Sequence, residues 1–170
     1  MLREKQIQVI NSFKERYRKQ FNQPLPQFVP EAGILAVQPV QQSFNFSGFY
    51  APTPIFYDPL IVHDETQGLG DPCNYGLFQY SQDQTTRFAW EGFLAINAPG
   101  SVNALRFITK NVLAILVEEN RTIDWFSQYL VVPIAQPMEV NKNDQIHVRF
   151  SYEAGAPIET LVESLEVTKI

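Results

Sequence analysis

The sequence holds a single cysteine, Cys73, in 170 residues. One thiol can form neither an internal disulfide nor a cysteine-rich zinc site, and this economy fits a reducing compartment. There is no run of about 18 apolar residues for a membrane-spanning helix. The N-terminus alternates charged and apolar residues, unlike a secretory signal. Cytoplasmic location and no membrane contact are therefore expected. Positive charge is also short: the net charge is −5, which argues against a general nucleic-acid binder. Internal repeats and low-complexity tracts are lacking. No serine sits in a G-x-S-x-G elbow, and Cys73 has no clear histidine partner for a nucleophilic role.

What is present is globular. The chain is 45% hydrophobic and 18% charged, enough for one domain with a real core. Aromatics reach 13%, as in strand-rich domains. Charge is unevenly spread. Six of the 13 basic residues but only two acids, Glu4 and Glu15, precede Phe21. Ile7, Ile10, Phe13 and Tyr17 fall at helical spacing there, so residues 1–22 are expected to form an amphipathic helix attached to the domain 23–170. Such a basic helix is either a solvated face, the usual fate of a charge run, or a dock for a partner.

The most legible stretch is Arg121 to Tyr152. Trp125 and Tyr129 to Val132 mark one strand-like run. A connection punctuated by Pro133 and Pro137 follows, and Asn141-Lys142-Asn143-Asp144 reads as a turn. From Ile146 to Tyr152 apolar residues alternate strictly with His147, Arg149 and Ser151, the period of a strand with one dry side. The stretch reads as a hairpin. Further strands are expected at Ile34–Val37, ended by Pro39, around Phe44–Phe46, at Leu77–Tyr80 and at Arg87–Ile96. Residues 104–116 suggest two strands broken near Asn111, and 160–170 a last strand. Residues 63–76 read as a long loop. Short strands at this spacing predict a mainly β fold, an antiparallel β-barrel or sandwich with one N-terminal amphipathic helix.

Candidate chemistry is sparse. Gly68-Leu69-Gly70 lacks the strand before and helix after that a phosphate-cradling glycine loop needs, so a plain turn is favoured. His63, Asp64 and Glu65 are adjacent, and side chains on extended backbone point apart; with His147 they read as solvated groups rather than a metal site. Asp124 is either a placed carboxylate or a turn residue opening a strand.

On these residues the chain resembles the C-terminal β-barrel of protein arginine methyltransferases. In that family a Thr-His-Trp loop opens a strand running through a Gln, and a Val-x-x-Gly-[Asp/Glu]-x-Ile turn and strand follow. Trp125, Gln128 and Val140-Asn141-Lys142-Asn143-Asp144-Gln145-Ile146 look like that run, with Asn143 in the place of the glycine. Asn is the next-best residue for positive φ. Glu15-Arg16-Tyr17-Arg18 and Pro30 to Val37 are similar to the join between catalytic domain and barrel. Asp124 replaces the loop histidine, and Gln128 lies one residue further from the tryptophan than usual. The Asp-x-Gly-x-Gly turn and the glutamate pair of the methyl-donor domain are missing.

The resemblance implies an accessory barrel, concerned with substrate contact and dimerisation or docking to a separate methyltransferase catalytic half. It would not be catalytic alone and would bind no cofactor itself; S-adenosylmethionine would belong to the partner. Asp124 and Trp125 would lie on the substrate side. The alternative is a free-standing β-sandwich module for carbohydrate or protein, suggested by the aromatics of 44–57 and Trp90. A structural oligomer without a ligand is a third expectation.

Overall fold

The computed structural model describes residues 32–43, 55–57, 65–79, 85–116, 118–119 and 121–170, with residues 15 and 19. Its strands are β1 (Ala32–Gln42), β2 (Ile55–Tyr57), β3 (Thr66–Gly68), β4 (Cys73–Gln79), β5 (Arg87–Ala95), β6 (Gly100–Leu116), β7 (Arg121–Val140), β8 (Gln145–Glu153) and β9 (Glu166–Lys169), with one short helix, α1 (Glu159–Ser164), before β9. The expected N-terminal helix, and the strand around Phe44–Phe46, lie outside the described residues; Glu15 and Lys19 are helical and exposed.

All described pairings are antiparallel. One sheet runs β2-β7-β6-β1-β3, with β4 also on β1; the other runs β5-β8-β9. The sheets curl into a half-barrel, so the fold is mainly β, as expected. Val37, Leu105, Phe107, Val132 and Ile134 of the first sheet meet Leu94, Ile146, Val148 and Phe150 of the second in one core. The alternation of β8 explains its place: Ile146, Val148 and Phe150 are at most 2% exposed, while Arg149 and Ser151 are exposed. Burying each such side chain contributes about 1.5–3 kcal/mol. On the reverse face of the larger sheet, Val40, Ala104 and Val131 are buried as a second, smaller cluster.

Several expectations need correction. The stretch 121–152 is no hairpin. β7 continues through both prolines to Val140, and β8 then crosses to the other sheet. The prolines sit where the ladder fails: partners jump from Ala104↔Pro133 to Val102↔Met138, leaving 134–137 as a bulge whose Ile134 stays in the core and whose residues 135–137 are exposed. No ladder N–H is required there. β1 likewise runs through Pro39. Its outer edge pairs β4 up to Val37 and β3 from Val40, and the Pro39 carbonyl accepts from Leu69 N in the gap. In a strand a residue's N–H and C=O point the same way, so the donor that proline lacks falls in that gap. β6 is unbroken at Asn111. Residues 63–76 include β3 and the start of β4. The expected last strand is α1 followed by β9, because Leu161, Val162 and Leu165 pack on the core at helical spacing.

The turn after β7 forms as read. Asn143 has φ 74°, the only positive φ of a non-glycine among the described residues. Asp144 Oδ2 accepts the Asn141 N–H at 2.8 Å and pairs with Lys169 Nζ at 2.7 Å. Three loops meet here. Ile96 exchanges backbone bonds with Asn143 and Asp144, while Leu69 O accepts from Asn97 and Ala98. Gly70 is required beside them, since a Cβ would lie 2.2 Å from Ala95 O.

Replacing Asn143 by Val should cost about 1–2 kcal/mol, because a β-branched side chain is strained at left-handed φ. Asn143→Gly should be nearly neutral. Urea midpoints at unchanged m-value measure both.

Candidate functional site

A cleft of ≈ 290 Å³ opens at the end of the half-barrel away from the Asn143 turn. Its walls are Tyr75 of β4 and Tyr152 of β8, its floor Phe107, Thr109 and Leu130, and its rim the segment 153–158 leading into α1. Tyr75 is the unpaired residue of a β-bulge: Leu35 faces Gly76, and Ala36 faces Asn74. The bulge has two effects. Tyr75 packs against the core, and Leu77, which a regular strand would place on the same side, turns outward and is 72% exposed.

The two phenols meet across the sheets, hydroxyl to hydroxyl at 2.9 Å. Tyr75 stands edge-on to Phe150, with ring centroids 5.0 Å apart, and Phe88 stacks on Tyr152 at 5.1 Å. Such edge-to-face and offset pairs are the preferred aromatic geometries. Burial pushes both hydroxyls above the ordinary phenol range; for Tyr75 the neighbouring Tyr152 adds to the effect. Both stay protonated at neutral pH. One donates to the other, which leaves a single O–H free to donate into the cleft. The arrangement suits a small apolar group carrying one acceptor. Glu153, on the rim, is held by Thr86 and faces Arg87 at 3.9 Å.

The described side chains among the sequence-derived candidates, Asp124, Glu65 and His147, do not line this cleft. Asp124 is inside β7, opposite Val112, exposed and 3.3 Å from Lys110 Nζ. It is thus a strand residue with a cation partner, not a turn residue. The Trp125 backbone faces Asn111. Asp124 is not among the described residues lining the cleft. His63 and Asp64 lie outside the described residues. Glu65 is a turn residue, and His147 bonds Glu91 at 2.9 Å on the outer sheet face. No group of three or more possible metal ligands occurs among the described residues. Cys73 is half-buried against the core. Tyr152 was visible in its strand's alternation, but nothing in the sequence marked Tyr75 as its partner. No protein-family model and no curated protein matches the sequence.

The raised phenol pKa values set a pH dependence. The unfolded tyrosines ionise near pH 10, the folded pair higher. Their stabilisation is therefore complete below about pH 10 and is lost as pH climbs through the folded values. Tyr75→Phe should cost about 1 kcal/mol at neutral pH through the lost hydrogen bond. It should also flatten the alkaline fall in urea midpoint; an equally steep fall in the variant would contradict the assignment.

Proposed function

We propose that this chain is the accessory β-barrel of a methyltransferase-like protein, the part that contacts substrate and mediates dimerisation or docking to a separate S-adenosylmethionine-binding half. The turn from β7 to β8 is the observation that carries it. The resemblance demands left-handed backbone at one position of Val140–Ile146, that of Asn143, and φ there is 74°. The acidic residue that follows, Asp144, ties that turn to Asn141 and Lys169. In this reading Trp125 forms a wall of the acceptor cleft, and Asp124 accepts a hydrogen bond or meets a cation.

The cofactor does not fit this chain's described residues. A methyl-donor fold seats the nucleotide at a glycine turn between a parallel strand and a helix. Every described pairing is antiparallel. The Gly68–Gly70 turn leads from β3 toward β4, not into a helix. No methyl-transfer step is therefore assigned to these residues.

A free-standing binding module is favoured by a different observation, the Tyr75–Tyr152 cleft. Its sugar-binding form loses one aromatic platform, because Trp90 is half-buried and tilts over Phe150 at 5.7 Å. Tyr50 and the Tyr57 side chain lie outside the described residues.

Two measurements separate these functions. Calorimetric titration with S-adenosylmethionine should give no binding heat, and micromolar affinity would contradict the missing nucleotide seat. Sedimentation velocity should show self-association, or a complex with a separately produced methyl-donor domain. A monomer that forms neither would leave the module as the function.

A further inference from the structure

We infer that Arg106, on the reverse face of the larger sheet, is the seat of an oxyanion site that takes a single carboxylate. Arg106 lies in β6 opposite Val131 and beside Gln38 of β1. Its Nε at 2.9 Å and its Nη2 both donate to one atom, Gln38 Oε1. Its Cζ stands 5.0 Å from the centre of the Tyr129 ring. No carboxylate among the described residues pairs with it. Other cations of the fold differ: Lys110, on the same strand, has Asp124, and in the smaller sheet Arg149 has Glu166 at 2.6 Å and Lys169 has Asp144.

The surroundings hold this guanidinium in one pose. Gln38 is 7% exposed, and its Nε2 donates to Gly70 O at 2.7 Å. That bond fixes the amide with its oxygen toward Arg106. Gly68 leaves the space for it, since a Cβ there would lie 2.7 Å from Gln38 Nε2. The Gly68-Leu69-Gly70 turn thus positions an anion receptor one residue removed, without touching the anion itself. Burial lowers the Arg106 pKa from its ordinary value, with Tyr129 opposing, yet a guanidinium remains charged in proteins. A half-buried cation whose nearest acceptor is a neutral amide is under-compensated.

Geometry and charge select the ligand. A guanidinium has five N–H donors, and Gln38 accepts two. The remaining three are one on Nη2 and two on Nη1, and the Nη2–H with the parallel Nη1–H forms the planar fork that matches a carboxylate bidentately. Tyr129 covers one face, so approach is in the guanidinium plane. The chain carries a net charge of −5, which repels polyanions such as nucleic acid or an anionic bilayer. A singly charged carboxylate matches the single charge of Arg106, with which no carboxylate among the described residues pairs.

The test follows the Nε–H resonance of Arg106 by NMR during titration with sodium acetate, with sodium chloride holding ionic strength constant. The Arg106 signal should move saturably while that of Arg149, already paired, does not. A blocked peptide with one glutamate, run as a second arm, distinguishes the source: a tighter midpoint than acetate assigns the site to an acidic side chain, and a weaker one to a free small carboxylate. Arg106→Gln should abolish the saturable response of the remaining resonances around Tyr129. If that variant does not fold, the comparison of Arg106 with Arg149 in the unaltered chain decides. No saturation in either arm, or identical movement of both arginines, overturns the site. Tighter binding of inorganic phosphate than of acetate overturns the carboxylate assignment.

Discussion

The half-barrel depends on a backbone lacing at one end. Leu69, fully buried, donates to Pro39 of β1 and accepts from Asn97 and Ala98 beyond β5. Ile96, also buried, exchanges bonds with the turn that carries β7 into β8. Both sheets are thereby fastened through main-chain groups that burial obliges to find partners. Leu69 and Ile96 also fill the core between the sheets. A side chain lost here would remove packing and misplace the lacing together, so this end behaves as one cooperative unit.

The opposite end is built on other terms. β5 and β8 run from the lacing to Arg87 and Glu153, where the sheets are bridged by side chains rather than main chain. The Tyr75–Tyr152 pair is that bridge, and the segment leading into α1 closes over it. Ser164 fastens α1 to β8 by donating to Ser151 O at 2.6 Å and accepting from Ser151 N at 3.0 Å. A rigid end and a side-chain-bridged end give the cleft fixed walls at its base and a rim of short side chains. That is the usual division between scaffold and site.

Much of the β architecture was legible, and the failures share a cause. The alternation of β8 and the turn chemistry of 141–144 depend on local residues, so the sequence alone reveals them. Continuity of β1 and β7 depends on which neighbour lies at each edge. Pro39 and Pro133 look like breaks until the gap beside β1 and the bulge opposite Asn103 are known. The six-residue α1 is too short for periodicity to separate it from a strand. Tyr75 needed the register against β1 to be seen as a bulge residue. Arg106 and Gln38 did leave a signal, each a polar residue in an apolar strand run, but their pairing across β1 and β6 is visible only in three dimensions. Asp124 was noticed for the same oddity, and its answer is Lys110.

The rim has its own consequence. Ala154, Gly155 and Ala156 are exposed, and a side chain added at Gly155 would meet nothing within 4 Å, although its φ of 89° keeps glycine there. Flanking positions 154 and 156 are held through their backbone N–H groups, to Thr86 and Glu153. Substitutions at those two alanines can therefore redraw the mouth of the cleft while the interior stays untouched. Evolution, or an engineer, can change what enters this protein without renegotiating how it folds.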